Sequence, residues 1–319
     1  MVHGSERRPV VVVGAGAIGL AAAIVLRERG HPVEVWAKDD PADTVSAVAG
    51  AIWYPFLAEP RSRVLGWSAA TYRRLAQFAH DPASGVRMTT VVEVFAHDAP
   101  DLWWAAAAGP VERLPAAEVP PPHRAAIRLQ VPVCDVPRHL PWLRTRLLAL
   151  GGRVHTRAIA SLDEALAVAP LVVNCTGLGA VALCDDHELQ PVRGQVVVVR
   201  RSGPLTALID DTGAQPFYVI PRGDDVVLGG TAQAGDARCT VDDGDTRSIL
   251  AGIGARVPAL RNAEPLLVKV GLRPYRSTVR LEIEDRPGGG RIVHDYGHGG
   301  SGYTLAWGCA DEVADRLAR

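Results

Sequence analysis

Val10-Val-Val-Val-Gly-Ala-Gly-Ala-Ile-Gly19 is the stretch on which the fold turns. Val10 to Val13 is an all-β-branched run of the kind that fills a strand buried on both faces. Gly14, Gly16 and Gly19 follow as GxGxxG. Leu20 to Arg29 is then rich in Ala and Leu, and Gly30 sits where a helix ends. His31-Pro32 turns the chain, and Val33 to Trp36 reads as a second strand. The whole predicts a βαβ unit of about thirty residues. Its first glycine permits a tight turn, its second lets backbone approach a pyrophosphate, and its third lets helix and strand pack closely. Free N–H groups and the positive end of the helix dipole then face the phosphates. That makes Gly14, Ala15, Gly16, Ala17, Ile18 and Gly19 candidate dinucleotide contacts. An acid at the end of the second strand would hold the ribose. Asp39 stands a little late for this, and Lys38 beside it can reach phosphate or adenine. At this point FAD and NAD are both open.

Further along, Arg63 to Ala79 predicts a surface helix and Val86 to Ala96 a β-rich segment, whereas residues 98–122 read as irregular or short helical. Pro137 to Leu150 carries Leu140, Leu143 and Leu147 on one helical stripe, ended by Gly151-Gly152. Leu171 to Asn174 is a buried type of strand running into Cys175-Thr176-Gly177. Val196 to Arg200, Phe217 to Ile220, Val226 to Leu228 and Leu266 to Val270 read as strands of a largely antiparallel sheet. Leu281 to Ile283 and Ile292 to His294 predict a hairpin, and Gly302 to Leu317 a terminal helix. The order of elements suggests a dinucleotide-binding domain interrupted by a β-rich insertion.

The bulk numbers bound the possibilities. The 319 residues suffice for one large or two ordinary domains, and 48% hydrophobic with 22% charged residues suits a soluble globular chain. A formal net charge of -1 offers nothing to nucleic acid or to an anionic membrane. Lysine occurs only at Lys38 and Lys269, which reads as codon bias. The five cysteines form no CxxC or Cys/His cluster, so neither a metal site nor a disulfide framework is expected, and a reducing cytoplasm fits. No apolar N-terminal core, membrane-spanning run or peroxisomal address is visible.

Beyond the glycine loop, several stretches resemble one family. Thr44-Val-Ser-Ala-Val-Ala-Gly-Ala-Ile-Trp-Tyr-Pro-Phe56 is similar to the segment of D-amino-acid oxidases that passes beneath the flavin. Phe217-Tyr-Val-Ile-Pro221 with Leu228-Gly-Gly-Thr231 resembles the family's paired strands over the substrate. Gly271-Leu-Arg-Pro-Tyr-Arg276 resembles its GxRPxR strand, and His294-Asp-Tyr-Gly-His-Gly-Gly-Ser-Gly-Tyr-Thr304 its C-terminal flavin loop. Asn174-Cys-Thr-Gly177 and Gln190-Pro-Val-Arg-Gly-Gln195 match as well, so the resemblance runs in order along nearly the whole chain. It implies an α/β fold: a discontinuous, Rossmann-like FAD-binding domain (1–60, 137–190 and 265–319) with a second, β-rich antiparallel substrate domain (61–136 and 191–264). It also implies FAD as cofactor, a D-amino acid and molecular oxygen as partners, and allows a homodimer.

Oxidising an amino acid requires its carboxylate to be fixed, its Cα–H to point at flavin N5, and its amine to be neutral so that the lone pair can push hydride out. By resemblance, Arg273 holds the carboxylate with a planar bidentate fork. Tyr218 adds a hydroxyl to the same carboxylate, Gly300 offers its carbonyl to the amine, and Ile52 and Tyr54 line the side-chain pocket. Arg276 is expected in a structural ion pair. Thr44, Val45, Ser46, Ala49 and Gly50 would cradle the pyrophosphate and ribityl chain. Ile159, Thr176 and Gly177 would approach the cofactor elsewhere. Gly297, Gly299, Gly300, Ser301 and Gly302 would run close to the flavin ring, with Tyr303 and Thr304 at the helix start stabilising charge on it. His298 reads as a flavin-edge or backbone-orienting residue, not a base. The chain departs from the vertebrate pattern in a short segment between Asp211 and Tyr218, where Ala214 replaces an expected second tyrosine. A more open site with faster product release follows as an expectation. A pocket of Ile52, Tyr54 and Tyr218 predicts neutral or aromatic D-amino acids. Arg222, the nearest arginine on offer to a second carboxylate, reads as a turn residue pointing to solvent. The alternatives at this stage are a D-aspartate oxidase, a glycine or sarcosine oxidase, and a flavin dehydrogenase that does not use oxygen.

Overall fold

The computed structural model describes residues 8–98, 101–213 and 215–318; Ala214 therefore lies outside the described residues. Strand β1 (Val10–Val13), helix α1 (Ala17–Glu28) and strand β2 (Val33–Ala37) open the chain, and β1 pairs with β2 in parallel from Val10↔Val33 to Val13↔Trp36. Small side chains, Ala21 to Ala23, are fully buried along α1 and let it lie close to its neighbours. Next come α2 (Arg61–Phe78), β3 (Val86–Phe95), β4 (Val111–Arg113), β5 (Ala125–Cys134), α3 (Val136–Ala149) and β6 (Arg153–Thr156). The middle of the chain holds α4 (Asp163–Leu166), β7 (Leu171–Asn174), α5 (Ala180–Cys184), β8 (Gln190–Arg200), β9 (Ala207–Asp210), β10 (Phe217–Pro221), β11 (Asp225–Gly229), β12 (Gln233–Ala234) and α6 (Asp243–Arg256). Strands β13 (Pro265–Asp285) and β14 (Arg291–His298) and helix α7 (Gly302–Leu317) complete it.

These strands join one 14-stranded sheet in the order β4-β5-β3-β9-β10-β11-β8-β13-β14-β7-β1-β2-β6, with β12 beside β8. From β14 through β7, β1 and β2 to β6 every pair is parallel. On the other side every pair is antiparallel except β3 with β9. The two arms share β13, a strand of 21 residues. Its first part pairs with β8 and its last part with β14, and the register with β14 shifts between Tyr275 and Arg280. The largest core cluster gathers β1, α1, α3 and α7, and it also takes Val64, Trp67, Leu75 and Phe78 from one face of α2. Among the described residues no helix is long and apolar enough to cross a membrane.

The sequence reading contains no strand at β5, β6 or β9 and no helix at α6. Strand β5 opens on two alanines and carries Pro132, features that mask a strand, yet it pairs with β3 along its whole length. Helix α6 holds Gly244, Gly252 and Gly254, which lower its intrinsic propensity. Its start is secured by Asp242, whose carboxylate accepts the Asp245 N–H at 3.0 Å. The ring of Phe217 fills the space that a side chain at Gly252 would need. The predicted terminal helix and the β13–β14 hairpin, with Leu281 opposite Asp295 and Ile283 opposite Val293, are present.

Candidate active site

A cavity of about 820 Å³ runs from the end of β1 and β2 across the face of the antiparallel arm. At the first end, Gly14 has φ 112°, a conformation open to glycine, and a Cβ there would collide with the carbonyl of Cys175. A Cβ at Gly19 would collide with the carbonyl of Gly14, so the third glycine of the motif is a packing requirement. Gly14, Ala15, Gly16 and Ile18 line the cavity, together with Lys38, Asp39, Thr44, Val45, Ser46, Ala49, Gly50, Ile159, Thr176 and Gly177. Ser46 Oγ accepts the Ala17 N–H at 2.9 Å and so ties the loop after β2 to the start of α1. Lys38 and Asp39 are exposed at the rim, 3.7 Å apart. Thr176 donates its hydroxyl to Asn174 Oδ1 at 2.7 Å.

At the other end, Gly299, Gly300, Gly302 and Tyr303 line the cavity with Ile52, Tyr54, Tyr218 and Arg273. Five predicted contacts stand behind the wall instead. Ala17 gives its amide to Ser46, and Gly19 packs on Gly14. Gly297 leaves room for the Arg276 side chain. Ser301 Oγ donates to the Phe56 carbonyl at 2.8 Å and accepts the Phe56 N–H at 2.6 Å. Thr304 Oγ1 does the same for Tyr54, at 2.9 and 3.0 Å. The first turn of α7 thus pins the segment that carries Tyr54 and Phe56. His298 is buried on the wall, with Nε2 3.1 Å from Asp295 Oδ1, and Cys309 lies close behind them.

Arg273 projects from β13 across β8, over Gly194, where any side chain would collide with its guanidinium. Its Nη1 donates to the Thr231 carbonyl at 2.9 Å. Gly229 and Gly230 make the corresponding room for the Tyr218 ring. Burial pushes the Tyr218 phenol up, against the pull of the adjacent Arg273 charge. Thr231 is itself held by the Gln195 N–H, which donates to its Oγ1 at 2.9 Å. Behind it the fully buried Arg193 donates to Gln195, Gln233 and Asp245 side chains and to the Arg238 and Thr240 carbonyls. Sequence reasoning missed this network, because its members are joined only by the fold.

Two acids were missed as well. Tyr54 donates its hydroxyl to Glu93 Oε1 at 2.7 Å, and Glu93 is 5% exposed on β3. A legible signal existed: Val91, Glu93 and Phe95 share one face of an alternating strand, so a carboxylate stands where the pattern buries a side chain. Burial, opposed by the Tyr54 hydrogen bond and reinforced by Asp211, pushes the Glu93 carboxyl up to about 7. Asp211, exposed on the loop after β9, lines the cavity, as do Ile209, Pro216 and Phe217. Two arginines are committed elsewhere. Arg276 Nε pairs with Asp186 at 3.1 Å, as expected. Arg222 corrects the sequence reading: it is buried, 6% exposed, and forks onto both Asp225 oxygens at 3.0 Å.

Known proteins match this chain along nearly its whole length. The family model described as FAD dependent oxidoreductase matches residues 9–316. A D-amino-acid oxidase of Rubrobacter xylanophilus is 44% identical over 306 residues, covering 95% of this chain and 94% of that one. A D-amino-acid oxidase of Streptomyces coelicolor is 43% identical over 314 residues, covering 97% and 96%. Among solved structures, the glycine oxidase of Geobacillus kaustophilus superimposes with a TM-score of 0.81 at 20% identity, over 99% of this chain and 95% of that one, a likeness of fold. With its glycine turn at one end of the cavity and Arg273 with Tyr218 at the other, the chain belongs to the D-amino-acid oxidase family of FAD-dependent oxidoreductases.

Proposed function

We propose that this chain uses FAD to oxidise D-amino acids to imino acids, which water converts to 2-oxo acids and ammonia, while oxygen is reduced to hydrogen peroxide. One observation carries the reading: a single cavity joins the Gly14–Gly19 turn to a guanidinium and a phenol with no carboxylate partner among the described residues. The residues present fit FAD. Gly14, Gly16 and Ser46 leave backbone and a hydroxyl, not bulky side chains, at the start of α1, where a pyrophosphate is favoured. In this reading the FAD-binding part is Rossmann-like (1–60, 137–190 and 265–319), and residues 61–136 and 191–264 hold the substrate. Lys38, Asp39 and Ile159 hold the adenosine end, and Thr44 to Gly50 with Thr176 and Gly177 hold the middle.

When bound, FAD supplies the two-electron oxidant. The protein supplies position and charge. Arg273 grips the substrate carboxylate by its fork, and Tyr218 adds a second donor from the neighbouring wall. Gly300 accepts from the amine through its carbonyl. Ile52, Ile209 and Phe217 give the side chain an apolar wall, which on its own suits neutral and aromatic groups. A second substrate carboxylate finds no partner in Arg222, which is committed to Asp225. The test is anaerobic mixing of the yellow holoprotein with D-alanine, L-alanine, glycine and D-aspartate. Bleaching of the visible flavin band by D-alanine and not by L-alanine is expected. No bleaching by any D-amino acid overturns the reading.

A further inference from the structure

We infer that this cavity prefers D-amino acids whose side chain ends in a cation, held by Asp211 at the cavity wall with Tyr54 and Glu93 behind it. The inference rests on reading the site as one for D-amino acids and names the class within them.

The argument begins with sheet register. Tyr218 on β10 stands opposite Ile209 on β9, and Ile209 stands opposite Glu93 on β3. Directly paired residues share a face, so phenol, isoleucine and carboxylate form one row, of which Tyr218 and Ile209 line the cavity and Glu93 stands behind Tyr54. Strands lie about 4.8 Å apart, so the row spans roughly 10 Å from Tyr218 to Glu93. Its basic end is Arg273 beside Tyr218. Its acidic end is Glu93 with Asp211, two residues after Ile209. Between them the wall is hydrocarbon. A lysine or arginine side chain has the same layout, an apolar stem with a charged tip.

Hydrogen-bond roles at the acidic end point the same way. The Tyr54 proton is committed to Glu93 Oε1, so the phenol oxygen offers lone pairs alone to a ligand. Glu93 Oε2 is buried and has no partner among the described residues. A buried carboxylate oxygen in that condition calls for a donor or a counter-charge. The basic side chains nearby are engaged elsewhere: Arg256 Nε at 2.6 Å and His123 Nε2 at 3.2 Å both go to Asp210. Neither Glu93 nor Asp211 makes an ion pair among the described residues. The balance that Asp210 receives from the chain is left for the ligand to bring to its neighbours. Burial and Asp211 raise the Glu93 carboxyl, a burden that an incoming ammonium or guanidinium relieves.

The experiment compares D-lysine and D-arginine with the uncharged D-norleucine and D-methionine on the holoenzyme, below the pH at which the lysine ammonium titrates. The number read is the ratio of kcat/KM for D-lysine to that for D-norleucine. We expect a ratio of about ten or more, falling by about tenfold in Asp211→Asn and by several-fold in Glu93→Gln, chiefly through KM for the charged substrate. A ratio near one in the unaltered enzyme overturns the inference, as does a ratio that Asp211→Asn leaves in place. Turnover of D-norleucine without a lysine preference sinks the cation site alone. A flavin that stays oxidised with all these compounds under anaerobic mixing sinks the D-amino-acid reading with it.

Discussion

The two arms of the sheet build their halves of the cavity by different means. In the parallel arm the wall is largely backbone: the turn at Gly14 to Gly19, the loop through Ser46, and the chain at Thr176 and Gly177. In the antiparallel arm it is made of side chains from separate strands, Arg273 on β13, Tyr218 on β10 and Ile209 on β9, with Glu93 on β3 standing behind Tyr54. A backbone site depends on local spacing and on the absence of Cβ atoms. A side-chain site depends on register between residues far apart in sequence. The first tolerates almost no addition of bulk, and the second almost no change of chemistry.

The side-chain half gives the largest expected effect. Arg273→Lys keeps the charge and loses the fork, and kcat/KM for D-alanine should fall roughly a thousandfold, about 4 kcal/mol. Near-normal steady-state kinetics would remove Arg273 from the carboxylate. Glu93 comes next. Its carboxyl, held at about 7 in the folded chain, binds its proton more tightly there than when unfolded. Stability is therefore greatest below the ordinary glutamate range and declines as pH rises through about 7, on the order of 3 kcal/mol in all. Glu93→Gln keeps an acceptor for Tyr54 and should flatten that decline in urea melts taken across the range. An unchanged slope would mean that another group sets it.

The backbone half is tested by bulk. Gly14→Ala places a Cβ against the Cys175 carbonyl at a positive φ, a strain on the order of 2–3 kcal/mol. FAD retention on a desalting column should fall, and normal retention would show that the turn relaxes freely. The smallest effect should come from Thr231→Val, which keeps shape but leaves the buried Gln195 N–H without its acceptor. About 1–2 kcal/mol of stability should go, and KM for D-alanine should rise several-fold as the carbonyl that holds Arg273 shifts. A variant with lower Tm and unchanged KM would confine the Arg193 network to folding.

The same contrast explains what could be read in advance. The β1–α1–β2 unit was legible because its signals are adjacent: β-branched residues, spaced glycines and an alanine-rich helix. The stripe Leu140, Leu143 and Leu147 marked α3 for the same reason. Arg273 and Tyr218 came through motif resemblance, and the structure brings both to one end of the cavity with the glycine turn at the other. Asp211 and the Arg193 network were not legible as site residues, and Glu93 was legible only as a carboxylate on the buried face of an alternating strand. Nothing near Glu93 in sequence says that Tyr54 will donate to it, and nothing near Arg193 announces Asp245. Strand β5 and helix α6 were hidden by proline and glycine, whose local cost is overridden by pairing with β3 and by close packing on Phe217.

Strand β13 carries a consequence for recombining this protein with its relatives. Because one unbroken segment serves as ladder partner to β8 and then to β14, neither arm can be exchanged as a cassette without cutting it. The register shift between Tyr275 and Arg280 is the natural seam, since pairing is already interrupted there. Chimeras joined within it should inherit both ladders intact. Those joined a few residues earlier would split Arg273 from the strand that aims it.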